Sequence, residues 1–424
     1  MGRSAVDAIS DIIPVIASSI AAANSLEEWT APAKPKASQQ WQAGWDPTVY
    51  PVPKGAVLII SPWNYLIPLT FIPFVGALAA GCTAALKLPE LVPATCQLFA
   101  EILPRYLDPN AYKVINGAVD ETTHALELRW AHIFYTGGGR VGRIIATVAA
   151  KHVTPTTLEL GGKSPVFVDA ENGNTDLTIA ARRIMWGKHL NSGQTCVAPD
   201  YVLVEREHQD ALVSAFQQVY SDFWPYPDGA MSPQAEISGF PTPAHYERAR
   251  VLLSRTKGRV AVGGKYDDAR RRMEPTVVAD VTLGDALMEE ELFCPILAVV
   301  PVDGGVDKAI DIIRSRPNPL AIYIFTDSEE TKDHFLRRTQ SGTVNFNDTF
   351  SQLMIPEIPF GGHGESGYGA YQGKLSFDTF THFRGSINVP PAAEPYMRGR
   401  YPPQGENALQ SAVAVEESFV IPDE

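Results

Sequence analysis

Two residues in this chain have the types and setting for covalent chemistry on a carbonyl. Glu159 lies in Leu158-Glu159-Leu160-Gly161-Gly162-Lys163-Ser164-Pro165, and Cys196 lies in Asn191-Ser192-Gly193-Gln194-Thr195-Cys196-Val197. A thiol near its ordinary pKa of ~8.5 is mostly protonated at neutral pH, and only its thiolate attacks carbon well, so Cys196 requires a base or an electropositive pocket. The plainer reading of Cys196 is a small buried hydrophobe. Its neighbours Asn191, Ser192, Gln194 and Thr195 argue against that, because core strands and helices are rarely flanked so densely by amides and hydroxyls. Glu159 follows the β-leaning Thr156-Thr157-Leu158 and precedes two glycines, which places it at a strand end, where α/β enzymes keep their chemistry. On position alone it could equally be a surface glutamate.

A third candidate is Asn64. The run Gly55-Ala56-Val57-Leu58-Ile59-Ile60-Ser61-Pro62-Trp63-Asn64-Tyr65 reads as a buried parallel strand, with Asn64 just beyond its end. An amide there is suited to hold an oxyanion; a turn asparagine is the alternative.

Taken together, Glu-Leu-Gly-Gly-Lys-Ser-Pro, Asn-Ser-Gly-Gln-Thr-Cys-Val and Pro-Trp-Asn-Tyr resemble the signature motifs of the aldehyde dehydrogenases, and Ala198-Pro199-Asp200 resembles their class 3 branch. The resemblance runs from about Trp29 to Val389. It implies NAD(P)-dependent oxidation of an aldehyde to the carboxylic acid, through a thiohemiacetal and thioester on Cys196. By the same resemblance Glu159 is the general base, and Asn64 with the Cys196 N–H is the oxyanion site. Class 3 relatives oxidise aliphatic, aromatic and terpenoid-derived aldehydes, which sets the expected substrate class.

The nucleotide site is expected around Lys87-Leu88-Pro89-Glu90, where a strand-helix-strand unit ends in a lysine and an acid placed for ribose hydroxyls. Glu90 would repel a 2′-phosphate, so NAD is the expected cofactor and NADP the second possibility. Relatives have Lys-Pro-Ser-Glu here. Gly137-Gly138-Gly139-Arg140-Val141-Gly142 reads literally as a Gly-x-Gly-x-x-Gly turn, which would make Glu159 a ribose ligand. The resemblance instead starts the nucleotide unit at Val57 and leaves Gly137 and Gly142 as cofactor contacts, with Gly138 and Gly139 replacing a serine and a threonine. Met288-Glu289-Glu290-Glu291-Leu292-Phe293-Cys294-Pro295 resembles the family's Glu-Glu-Ile-Phe-Gly-Pro, which implies that Glu291 holds the nicotinamide ribose and Phe293 flanks the ring. Without the resemblance, three acids in a row read as a solvated face.

The elements that must position these residues are those of an α/β protein: two doubly wound Rossmann-like domains plus a small β oligomerisation arm. The expected division is an N-terminally shortened NAD(P)-binding domain (1–34 and 54–161), a catalytic domain (162–360), an arm (35–53 and 372–390) and an extended tail (391–424). A helix is expected over Val6 to Trp29, and Phe377 to Val389 reads as a strand.

With 424 residues, 45% hydrophobic and 20% charged, the chain has the composition of a soluble globular protein. A net charge of -13 excludes a nucleic-acid surface. Four scattered cysteines and nine histidines without ligand spacing predict no metal, no disulfide framework and a cytoplasmic setting. Prolines and glycines interrupt the uncharged stretch Leu66 to Leu86, so it reads as a helix plus a strand, and no membrane anchor is expected. The expected assembly is a homodimer, by resemblance. The rival reading is a dehydrogenase-like chain that no longer turns over, suggested by the shortened N-terminus, Leu88-Pro89, Gly138-Gly139 and Cys294. Calorimetric NAD binding separates the two.

Overall fold

A computed structural model describes residues 5–171 and 174–404. The chain divides into two units, one made of Pro53–Thr381 with the first helix up to Leu26, the other of Glu27–Val52 with His382 onward.

The first unit holds two sheets. One has six strands in the spatial order Gly367–Tyr368, Thr156–Leu160, His132–Gly137, Ala56–Ile60, Thr83–Lys87, Tyr112–Ile115, parallel except for the antiparallel Gly367–Tyr368 edge. Strand order reverses on either side of Ala56–Ile60, so a crevice opens beyond the carboxyl ends of Ile60 and Gly137, where open α/β sheets bind ligands. The second sheet has seven strands, in the order Thr343–Phe346, Ala321–Phe325, Pro165–Val168, Tyr201–Glu205, Ile296–Val302, Thr276–Ala279, Arg259–Val262, and only the last is antiparallel. Its central strands are near-continuous apolar runs, buried on both faces.

Side-chain alternation on the first sheet decides where chemistry can sit. Ile133, Tyr135, Leu158 and Leu160 face one way and pack on Ile145 and Ala149 of the helix Gly139–Ala150. Their alternates, Phe134, Thr136, Thr157 and Glu159, therefore share the opposite face. The register pairs Thr136 with Glu159 on neighbouring strands, and Glu159 with Gly367 on the other side. Gly367 has φ +116°, and a Cβ there would lie 1.8 Å from the Leu158 carbonyl oxygen, so only glycine lets this edge close over the acid.

A two-stranded ribbon, Thr48–Pro53 with Thr381–Ser386, belongs to the second unit except for its boundary residues Pro53 and Thr381. The expected strand over Phe377 to Val389 is thus shorter: Gly373–Phe380 is a helix, whose Phe377 and Phe380 are buried. Its two aromatics, three residues apart, are spaced for one helix face. The expected extended tail contains short helical turns between Pro391 and Arg400, and its remainder from residue 405 lies outside the described residues.

The N-terminal helix spans Ala5–Thr30. Asp11 and Ala22 are buried, whereas Ile9, Ile12, Ile13, Ile16 and Ile20 form an outward stripe. By length and composition, Asp7–Thr30 is a helix that could cross a bilayer. Leu66 to Leu86 resolves into the helix Leu66–Ala79 and the strand Thr83–Lys87.

Candidate active site

The thiol is presented by a loop that is almost entirely irregular. Asn191, Ser192 and Gly193 all take positive φ (48°, 54° and 70°), and a turn closed by Ala198 N–H on the Thr195 carbonyl then carries Cys196. Polar residues hold this conformation by local bonds, which accounts for the dense amides and hydroxyls around the cysteine. Gln194 Nε2 donates to the Asn191 carbonyl at 2.8 Å, and Tyr323 Oη donates to the Val197 carbonyl at 2.7 Å. Gly193 lies against the next loop, since a Cβ there would stand 2.3 Å from the Cys294 carbonyl oxygen. Gly193→Ala is therefore expected to lower stability by roughly 1–3 kcal/mol and to displace the thiol, measurable as a lower melting temperature together with lost turnover.

Asn64 is tied to the same loop. Its Nδ2 donates to the Gln194 carbonyl at 3.0 Å, and its own main-chain carbonyl accepts from Asn191 Nδ2 at 3.1 Å. One amide hydrogen of Asn64 remains beyond that anchor.

Cys196, Asn64, Glu159, Glu291 and Phe293 line a single cavity of about 200 Å³, together with Trp63, Leu69, Thr136, Gly137 and His245. The acid and the thiol thus meet in one pocket. Glu159 is 3% exposed, and neither carboxylate oxygen has a hydrogen-bond partner. Burial holds its carboxyl well above the usual glutamate range. Cys196 keeps partial exposure, yet burial pushes its thiol up to about 12, with the charges of Glu291 and Glu159 adding to the rise. Burial also pushes Glu291 up to about 8, against the pull of the Gly162 N–H and of Lys163 and Lys188.

Of the three consecutive acids, Glu289 and Glu290 are exposed, as a solvated face would be, and Glu291 alone turns inward. Phe293 adopts φ +49° and packs edge-on to Trp63 at 5.8 Å. His245, at the start of the helix Pro243–Arg255, also packs edge-on to Trp63, at 5.2 Å. Nothing in its sequence setting marked it, because a lone histidine in a helix has no partner until a distant loop folds onto it; Thr136 was equally silent.

The cavity shares Pro62, Trp63, Thr136, Gly137 and Gly138 with a larger cleft of about 480 Å³ at the strand reversal. Lys87, Glu90 and Gly137 line this cleft. Lys87 donates to the Leu88 and Gly117 carbonyls, leaving one of its three ammonium hydrogens, and Glu90 is exposed at the rim. Ser61 and Thr136 hydroxyls are buried here without partners. Gly142 is the sequence candidate that the structure does not bring to the cleft. It is buried in the helix Gly139–Ala150, where a Cβ would stand 2.7 Å from Leu160 Cδ2, so it serves helix-to-strand packing. Among the described residues no group of three or more His, Cys, Asp or Glu could hold a metal, and all four cysteines are free.

The sequence profile of the aldehyde dehydrogenase family matches residues 2–385. The chain is 44% identical over 361 residues to aldehyde dehydrogenase family 3 member A2 of Rattus norvegicus, covering 85% of this chain and 73% of that protein. It is 43% identical over 366 residues to family 3 member B1 of Homo sapiens, covering 86% and 76%. Among solved structures, the substrate-bound state of Staphylococcus aureus AldH superposes with a TM-score of 0.92 at 34% identity, over 98% of this chain and 88% of that one. A Mycobacterium tuberculosis aldehyde dehydrogenase complexed with NAD+ gives 0.76 at 26% identity, over 88% and 77%. The chain belongs to the aldehyde dehydrogenase family, and it resembles the class 3 branch most in the relatives named.

Proposed function

We propose that the protein oxidises an apolar aldehyde to its carboxylic acid with NAD, NADP being the second acceptor, by covalent catalysis at Cys196. The observation that carries this reading is the convergence of Cys196, Asn64, Glu159 and Glu291 on one small cavity that opens onto the strand-reversal cleft. A degenerate relic has no reason to keep that set together.

The cleft fits a dinucleotide: Lys87 and the exposed acid Glu90 stand where ribose hydroxyls would bind, and the unpartnered Ser61 and Thr136 hydroxyls offer further contacts. Glu291 would hold the nicotinamide ribose, with Phe293 against the ring. Bound there, the nicotinamide supplies a hydride acceptor and a positive charge beside the thiol.

Burial disfavours the ionised form of both the thiol and the Glu159 carboxyl, and a positive charge nearby offsets it. Once ionised, Cys196 Sγ adds to the aldehyde carbon. The carbonyl oxygen, now an anion, is held by the remaining Asn64 N–H and the Cys196 main-chain N–H. Loss of hydride leaves an acyl group on sulfur as a thioester. Glu159 then takes a proton from water, the hydroxide attacks the acyl carbon, and the thiolate leaves as the acid is released. Trp63, Leu69 and Phe293 give the cavity apolar walls that suit a hydrocarbon or aromatic aldehyde.

An aldehyde panel followed at the NADH absorbance tests the reading, with rapid quenching to trap the acyl-enzyme. Turnover without acyl-enzyme, or no NAD binding by calorimetry, sinks it. Asn64→Ala is expected to lower kcat by about 10²–10³-fold, the usual cost of losing one oxyanion donor, with little change in KM for NAD. The ribbon Thr48–Pro53 with Thr381–Ser386 is the proposed dimer arm of a cytoplasmic homodimer; sedimentation at the monomer mass would refute the dimer.

A further inference from the structure

The segment that carries Glu291 and Phe293 makes no strand or helix between residues 289 and 295. Its main-chain groups are satisfied instead by long charged side chains from elsewhere in the fold. Lys163 Nζ donates to the carbonyls of Leu287 at 2.7 Å and Glu290 at 3.0 Å, and its third hydrogen bond goes to Asp200 Oδ1. The other oxygen of Asp200 accepts from Leu292 N–H at 2.8 Å. The two groups thus grip the residue before Glu291 and the residue after it. Their side chains are 10% and 3% exposed, so this ion pair is shielded from solvent screening, unlike the surface pairs of the molecule.

Both members come from the chemical motifs: Lys163 lies four residues after Glu159, and Asp200 lies four after Cys196. The thiol loop has anchors of its own, through Asn64 on Gln194 and Tyr323 on Val197. The Glu291 segment is also held by Arg248 on the Glu291 and Leu292 carbonyls and by Arg316 on that of Met288.

We propose that Lys163 and Asp200 are a buried positioning pair that fixes Glu291 and Phe293 against the nicotinamide end of the cofactor, and thereby sets affinity for the nucleotide rather than for the aldehyde. The proposal rests on the reading of Glu291 as the ribose contact. The charged and titratable groups around Glu291 are Lys163 and Asp200, Lys188 from the helix Leu177–His189, Arg248 and His245 from the helix Pro243–Arg255, Glu159 across the cavity, and the Cys196 thiol. Lys163 favours its ionised form and Asp200 opposes it.

The test is steady-state kinetics of the full-length enzyme with NAD and aldehyde varied separately. Lys163→Met and Asp200→Asn are each expected to raise KM for NAD by about tenfold to a hundredfold, as a displaced contact does, with KM for aldehyde changed far less. Asp200→Asn leaves the Lys163 cation uncompensated, so the pH limb of KM for NAD that reports Glu291 moves to lower pH. Lys163→Met leaves the Asp200 anion and moves the same limb to higher pH. A purely structural role gives no such opposed shifts. Lys163→Arg restores KM. Should the first two variants not fold, Asp200→Glu, which keeps both charges and moves the carboxylate by one methylene, is expected to raise KM for NAD in the same sense. Unchanged KM for NAD in the variants, or pH limbs moving together, overturns the proposal. Glu291→Gln separates the two levels: if it leaves KM for NAD unaltered, the ribose assignment itself fails; if it raises KM while the pair variants do not, only the pair fails.

Discussion

Cys196→Ala is expected to abolish aldehyde oxidation, lowering kcat by at least about 10³-fold, while calorimetric NAD affinity stays within a small factor of the wild type. The loss should be total because no other sulfur can substitute. Cys82, Cys96 and Cys294 are buried, and among the cysteines only Cys196 lines the cavity. Alkylation supplies a second measure. Burial and two neighbouring carboxylates push this thiol up to about 12, so its labelling rate in the protein without nucleotide should climb steadily from pH 7 to pH 10. NAD should accelerate labelling at pH 7 by adding a positive charge nearby. Undiminished turnover in the alanine variant would remove the basis of the proposed chemistry.

Glu159→Gln carries the second large effect, a fall in kcat of about 10²–10⁴-fold, the range for a lost general base. Its pH profile is the sharper test. A base works deprotonated, and burial holds this carboxyl well above the usual range, so the wild-type rate should rise with pH through that displaced value. The glutamine variant should lack that limb. The same burial carries a stability signature. Folding raises the pKa, so this group's contribution to stability is fully present below the ordinary glutamate value of ~4.3 and is lost as pH rises toward the folded value. Glutamine has nothing to ionise, so the variant should melt above the wild type at neutral pH, the two converging in acid. An enzyme made more stable by losing its base shows that the residue is retained for chemistry. Equal melting temperatures across that range would contradict the burial cost, and an unchanged pH limb would contradict the role.

What was legible in the sequence was local. Asn64 follows the apolar run Ala56–Ile60 and Glu159 lies near the end of Thr156–Leu160 before two glycines, whereas Cys196 sits in an irregular loop marked only by its amides and hydroxyls, and the role of each came from the resemblance. The helix expected over Val6 to Trp29 is found as Ala5–Thr30. Glu291 could be singled out from its two neighbours only by resemblance, since three adjacent acids differ solely in which way a strained loop turns them. Gly142 was misassigned for a related reason: a glycine that admits a phosphate and one that admits a leucine look alike in a string, and here Leu160 is the group admitted. The Lys163–Asp200 pair was invisible because its members lie 37 residues apart, and the Leu292 N–H that Asp200 accepts from lies 92 residues further on. Phe377 and Phe380 misled because two buried aromatics three apart fit a short helix as well as an irregular strand.

The antiparallel closure of Gly367–Tyr368 on the strand bearing Glu159 has a consequence for synthesis. More than two hundred residues separate the acid from the strand that seals it. Until the ribosome has passed Tyr368 and released it from the exit tunnel, the Thr156–Leu160 strand remains an open edge, accessible to chaperones and prone to pair with other chains. A nascent polypeptide can therefore carry the nucleophile long before it carries the environment that activates the base, and premature termination between Cys196 and that strand yields a protein with the nucleophile and no working catalyst.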